Sequence, residues 1–213
     1  MPERAVIFAN GEIKDRDRLR SILRPDDLLI AADGGLHHLI ELDLSPSFLI
    51  GDLDSVTPEQ VRTVKELGGQ VIRFSKDKNE TDLQLAMDHA LSLGCTEIVI
   101  VAALGGRLDQ ILGNIFLLDR VDLVPCSIRL DDGVEEVFLI RDSALITGSA
   151  GDIVSLLPLN GPVYDVKTED LKYPLVYEKL FPDRTRGISN VMTTDRARVS
   201  ISRGTLICIH TRH

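Results

Sequence analysis

Positive charge is scarce in this 213-residue sequence: 24 Lys and Arg stand against 33 Asp and Glu, for a formal net charge of −9 and a pI near 5.0. A duplex nucleic-acid binder needs a basic face to displace counterions from phosphates, so small molecules are the expected ligands. Long apolar runs are missing as well. The longest, such as Ile98 to Leu104, fall far short of the roughly 18 residues that cross a bilayer. The apolar run after Arg4 stops at Asn10-Gly11, too soon for a signal peptide. Cys95, Cys126 and Cys208 are odd in number and lack a CxxC pairing, which reads as reduced thiols and a cytoplasmic location. The five histidines show no metal-ligand spacing. His37 and His38 are adjacent, so on a helix they point in different directions. Neither GxGxxG nor a Walker A motif occurs, so any nucleotide is held by other means. Repeats and low-complexity tracts are also absent.

What is present is an ordinary globular composition, 44% hydrophobic and 27% charged with mean hydropathy +0.07, arranged in two rhythms. Up to about residue 120, short buried-strand patterns (Ala5–Ala9, Leu28–Ala32, Phe48–Ile50, Val71–Phe74, Ile98–Ala103) alternate with helical ones. Thr57, Pro58 and Gln60 predict a capped helix start at 58. Thr81 and Gln84 repeat the device for a helix over 82–93 that buries Leu83, Ala86, Met87, Ala90 and Leu91 and stops at Gly94. After Pro125 short alternating runs take over (Glu136–Arg141, Asp152–Leu157, Val163–Val166, Arg198–Ile201, Leu206–His210). The expected architecture is an α/β domain, residues 1–125, with a mostly parallel sheet and helices on both faces. A small all-β domain of antiparallel, sandwich-like type follows over 126–213.

Chemistry-bearing residues cluster immediately after the first five strands. These clusters are Asn10-Gly11, Asp33-Gly34-Gly35, Gly51-Asp52-Leu53-Asp54-Ser55, Lys76 to Asp82, and Gly105-Gly106-Arg107-Leu108-Asp109-Gln110. In an open parallel sheet the loops at the carboxyl ends of strands converge on one crevice. Asp52 and Asp54 are two residues apart, and Asp82 at a helix start offers a third carboxylate. Crowded anionic oxygens call for a neutralising cation, and hard oxygen ligands select Mg²⁺ or Mn²⁺. The bland alternative is that Asp52 and Asp54 shape a turn while Asp82 complements a helix dipole. Arg107, after two glycines and before a helix, is placed to grip phosphate oxygens, or is an ordinary surface arginine.

Taken together these motifs resemble the thiamine pyrophosphokinases. The matching stretches, in order, are Ala31-Ala32-Asp33-Gly34-Gly35, Ile50 to Ser55, Lys78 with Thr81-Asp82, and Gly105 to Gln110 with Asn114. Leu171-Lys172-Tyr173-Pro174-Leu175 and Gly187-Ile188-Ser189-Asn190 complete the set. The resemblance implies an ATP-binding α/β domain, a β domain that supports thiamine binding, and a homodimer that builds its active site between subunits. It implies transfer of pyrophosphate from ATP to the thiamine hydroxyethyl oxygen with release of AMP. Carried over by motif, Asp52, Asp54 and Asp82 resemble the Mg²⁺ ligands. Asp33, Gly34, Lys78, Arg107, Asp109, Gln110 and Asn114 look like the ATP site, and Ser189, Asn190 and Tyr173 the thiamine side. Arg107 would stabilise charge as AMP departs, and Asp82 or Asp54 would accept the hydroxyl proton. Two departures stand out: Asp170 where a glycine often stands, and the lack of any Trp, which some members present to the thiamine rings.

Three other readings fit part of the pattern. Asp52-Leu53-Asp54-Ser55-Val56 also fits the nucleophile motif of a haloacid dehalogenase-type phosphatase, although here it follows the third strand rather than the first. A pyrophosphokinase for another alcohol, such as a hydroxymethylpterin, and a non-catalytic nucleotide-sensing module are the other two.

Overall fold

The computed structural model describes residues 3–123 and 125–213, which form two compact units, Met1–Gly133 and Val134–His213. The division falls beyond residue 125. The segment Ser127–Asp131, read from sequence as the start of the β domain, is a strand paired in parallel with Glu97–Val101. It therefore belongs to the first unit.

In that unit β1 (Arg4–Phe8), β2 (Leu28–Ala32), β3 (Phe48–Gly51), β4 (Gln70–Arg73), β5 (Glu97–Val101) and β6 (Ser127–Asp131) form a parallel sheet in the order β4-β3-β2-β1-β5-β6. Ile7 sits opposite Ile30 on one side and Ile100 on the other. Successive residues of a strand point to opposite faces, and every residue of β1 is buried, so both faces are covered. Val6, Phe8, Ala31, Leu49, Val99 and Val101 pack with Leu19 of α1 (Arg16–Ile22), Leu36 and Leu39 of α2 (Leu36–Glu41) and Val64 of α3 (Pro58–Glu66). Against β1, β2 and β3 also lies α4 (Asp82–Ser92), through buried Leu83, Ala86, Met87 and Ala90. That spacing is the 3.6-residue period of an amphipathic helix, and each large side chain so buried contributes about 1.5–3 kcal/mol.

The start of α3 bears the full reciprocal capping box between Thr57 and Gln60. At α4 the Thr81 hydroxyl accepts from Gln84 N–H, but the return bond has no counterpart. The last helix, α5 (Leu108–Leu117), buries none of its residues.

The second unit contains β7 (Glu135–Ile140), β8 (Ser143–Thr147), β9 (Ile153–Glu169), β10 (Glu178–Leu180), β11 (Asn190–Val191), β12 (Arg196–Ser200) and β13 (Arg203–Thr211). All of its pairings are antiparallel. The runs read from sequence as separate strands at 152–157 and 163–166 are one long strand, β9. Its first half pairs with β13 and its last residues with β12. Between them Asn160 and Gly161 adopt positive φ, which bends the strand and lets it serve two sheets. Val154, Leu156, Val163, Val166, Ala197, Val199, Leu206 and Cys208 fill the space enclosed.

Candidate functional site

Strand order fixes where the site of the first unit lies. The chain builds outward from β1 through β2 and β3 in one direction and through β5 in the other, so the loops after β1 and β5 diverge and leave a crevice at their carboxyl ends. A cavity of about 540 Å³ opens there, within the range usual for small-molecule sites. The loop after β1 lines it with Asn10 and Gly11, that after β2 with Asp33, that after β3 with Asp54 and Ser55, and that after β5 with Gly105. Thr81, Asp82 and Gln84 line it from α4, and Asp109, Gln110 and Asn114 from α5.

On the β2–β3 side three carboxylates meet. Oxygens of Asp33, Asp52 and Asp82 all lie within 4.8 Å of one another. Asp33 follows β2 directly in a left-handed backbone conformation (φ 43°) and is buried. Gly51, at φ 153°, lets the chain pass beside it, because a Cβ there would stand 2.9 Å from the Asp33 Cβ and 3.0 Å from Asp82 Oδ1. Asp82 opens α4. Burial raises its carboxyl above the ordinary range even though Lys78 acts in the other direction. The Lys78 amine lies 2.8 Å from Asp82 Oδ1 and 3.8 Å from Asp52 Oδ2. Burial lowers its proton affinity, but Asp82, Asp52 and Asp33 together outweigh that and raise it.

Asp54, expected beside Asp52 in the metal trio, is not brought into it. Residues two apart share a direction only in extended backbone, and Leu53 between them has φ 67°. The backbone N–H of Asp54 instead closes a turn onto Asp52 Oδ1 at 3.0 Å, while the Asp54 carboxylate turns to Lys76 at 2.9 Å. Asp33 takes the third place.

The trio fits a hard divalent cation. Its donors are all carboxylate oxygens, and Asp33 Oδ1 is buried without a hydrogen-bond partner, an arrangement that is costly unless a cation completes it.

On the β5 side, Arg107 is exposed and paired in two-pronged fashion with Asp109, its Nη2 2.6 Å and Nε 3.1 Å from the two carboxylate oxygens. The pairing, above all the hydrogen bond, holds the Asp109 carboxyl low and Arg107 high. Asn114 donates to the Ala103 carbonyl at 2.9 Å, tying α5 to the loop after β5. Gly34 packs on the Asn10 carboxamide, where a Cβ would stand 2.4 Å from Cγ. Sequence reasoning named Asn10, Ser55, Thr81 and Gln84 only as loop, motif or cap residues. Their position after strands or at a helix start was the one available signal.

In the second unit the Asn190 side chain is buried and committed to the backbone of Tyr173, accepting from its N–H at 2.9 Å and donating to its carbonyl at 2.7 Å. It also accepts from Val191 N–H. Tyr173 itself is 53% exposed, and Val176, Tyr177 and Ile188 are exposed as well. Ser189 has φ 58° and donates its N–H to Ser155 Oγ at 3.0 Å. Asp170, standing where glycine is common, adopts φ 61° and so keeps the left-handed turn, which aspartate tolerates better than most residues. Its carbonyl accepts both the N–H and the hydroxyl of Thr193.

Comparison with known proteins gives the same family along most of the chain. The profile described as "Thiamin pyrophosphokinase, catalytic domain" matches residues 19–130, just over half the sequence. "Thiamin pyrophosphokinase, vitamin B1 binding domain" matches 143–206. The thiamine pyrophosphokinase of Bacillus subtilis is 29% identical over 184 residues, covering 85% of this chain and 86% of the relative. The crystal structure of thiamine pyrophosphokinase from Bacillus subtilis superposes with a TM-score of 0.87 at 28% identity over 98% of this chain and 99% of that one. That of a family protein from Enterococcus faecalis gives 0.83 at 26%, covering 99% of each chain. The Candida albicans enzyme, at 18% identity and 0.80 over 98% of this chain and 90% of that one, shares the fold. With one family profile on each compact unit and the carboxylate cluster inside the catalytic match, the chain belongs to the thiamin pyrophosphokinase family.

Proposed function

We propose that this chain transfers the pyrophosphoryl group of ATP to the hydroxyethyl oxygen of thiamine, giving thiamine diphosphate and AMP. ATP would lie in the cavity at the carboxyl ends of β1, β2, β3 and β5, with Mg²⁺ on Asp33, Asp52 and Asp82. The observation that carries this reading is the buried, unpartnered Asp33 oxygen within that trio. When bound, the ion supplies charge neutralisation for the transferring group.

The chain's own residues do the rest. Lys78, already at the carboxylates, places a cation where phosphate oxygens approach. Arg107 exchanges Asp109 for a phosphate as AMP departs, since a guanidinium binds either anion in the same forked geometry. Asp82 and Asp54 both line the cavity, and one of them would accept the hydroxyl proton. In the second unit Tyr173 faces solvent for thiamine, and Asn190 acts by holding it.

The active assembly is a homodimer. Leu108, Leu112 and Phe116, spaced by four, form an exposed apolar stripe along α5, and a second copy would cover it. No helix among the described residues is long and apolar enough to cross a membrane. The cysteines are unbridged, in keeping with the cytoplasmic setting we propose.

The test is incubation with ATP, Mg²⁺ and a panel of vitamin alcohols. AMP that forms only with thiamine supports the reading. AMP formed with a pterin alcohol instead reassigns the acceptor, and a phosphorylated aspartate restores the phosphatase.

A further inference from the structure

The adjacent histidines find different partners. Both sit on α2, which grows directly out of the Asp33-Gly34-Gly35 turn. His38 Nε2 lies 2.9 Å from the carbonyl of Gly11, in the loop after β1. His37 Nε2 lies 3.2 Å from the carbonyl of Ser55, in the loop after β3. A carbonyl only accepts, so both Nε2 atoms carry the hydrogen and donate it. The other ring nitrogen of His38, Nδ1, is buried without a hydrogen-bond partner. The ring therefore gives up hydration on one side while keeping the bond to Gly11 on the other. Because β1, β2 and β3 are neighbours in the sheet, one short helix anchored at Asp33 reaches the loops on either side of its own. Gly11 and Ser55 both line the cavity.

We propose that His37 and His38 are positioning residues of the ATP site, fixing the loops after β3 and β1 against the Asp33 turn so that the cavity is preformed for the nucleotide. The inference rests on the ATP reading of the cavity given above. Neither ring touches the reacting atoms. Each acts through a backbone carbonyl, and the chemistry required is an N–H donor at the Nε2 position. Preformed loops save ordering entropy on binding, so the loss falls on KM for ATP rather than on the chemical step.

His38→Phe keeps a flat ring without the donor, and His38→Gln restores an N–H close to the Nε2 position. His37→Phe and His37→Gln form the matching pair. The Phe variants are expected to raise KM for ATP about three- to tenfold, the scale of one lost hydrogen bond, with kcat and KM for thiamine unchanged. The Gln variants are expected to recover most of the loss. Backbone hydrogen exchange reads the tether without any turnover: His38→Phe should speed exchange in residues 9–13 and His37→Phe in 53–57, each restored by Gln. An unchanged KM for ATP with unchanged exchange overturns the proposal, as does a uniform loss of kcat and both KM values tracking a lower Tm. If the wild type makes no AMP from ATP and thiamine, the functional reading falls, and the exchange pattern alone decides whether the tethers exist.

Discussion

The Lys78 amine and the Asp82 carboxylate meet at 2.8 Å across one turn of chain at the start of α4, and the same amine faces Asp52 at 3.8 Å. A cation is thus built into the carboxylate trio. It balances part of the carboxylates' charge, and in the reading proposed above it would stand beside the phosphates. Lys78→Met should lower kcat/KM for ATP on the order of 10²-fold, the scale for removing one donor from a preorganised charged site. Steady-state kinetics at saturating thiamine check this. A loss confined to thiamine KM would move Lys78 out of the phosphate site.

Asp33, and not Asp54, stands with Asp52 and Asp82 in the carboxylate trio. Asp33→Asn should raise the Mg²⁺ concentration needed for half-maximal activity at least tenfold. Asp54→Asn, which removes a partner of exposed Lys76, should change it by less than about threefold, as expected for a solvent-screened pair. Magnesium titrations of the two variants, run side by side, give the comparison.

Asn190 reaches both backbone polar groups of Tyr173. Asn190→Ala leaves the part-buried N–H and carbonyl of Tyr173 without these partners, at a cost on the order of 1 kcal/mol. Thermal unfolding should show that loss, and KM for thiamine should rise while KM for ATP stays constant. Replacing Tyr173 by Phe keeps the clamp and should keep the stability.

In the second unit Asp152 accepts from His210 Nε2 at 2.9 Å, from Ser149 N–H and from His213 N–H. Burial pushes this carboxyl up, but those bonds outweigh it and hold it below its unfolded value. A depressed carboxyl contributes stability that is present above the unfolded pKa, near 3.9, and is lost as pH falls through the folded one. The unit should therefore weaken below about pH 4, and Asp152→Asn should flatten that acid limb while lowering Tm at neutral pH. Thermal melts from pH 3 to 7 measure both effects.

The stripe on α5 predicts the assembly state. Leu112→Glu with Phe116→Glu puts two charges in the proposed interface and should convert a dimer to a monomer in analytical ultracentrifugation. A wild type that sediments as a monomer would remove the argument.

The parallel sheet was legible because its inner strands β1, β2, β3 and β5 are largely buried and read as unbroken apolar runs, and because Thr57 and Thr81 mark helix starts. The site's location followed from the polar loops after each strand. What sequence left open depended on backbone signs and long-range partners. Leu53 at φ 67° turns Asp54 away from Asp52, and no pattern in Asp-Leu-Asp announces that. Asp33 joins the trio only because β2 and β3 are neighbours. β6 was not read as a strand, and the boundary expected at 125 left its residues in the β domain, because a short strand bears no mark of which sheet it joins. Likewise β9 was split at Asn160-Gly161, where a bend looks like a turn. The clamp on Tyr173 spans 17 residues, beyond any local signal.

Which phosphorus is attacked tests the central claim most directly. The wild type, given ATP, Mg²⁺ and thiamine and followed by ³¹P NMR, should form AMP and thiamine diphosphate in equal amounts, and Asp33→Asn should form both far more slowly at the same magnesium concentration. ADP with thiamine monophosphate, or inorganic phosphate without a thiamine ester, would contradict the account.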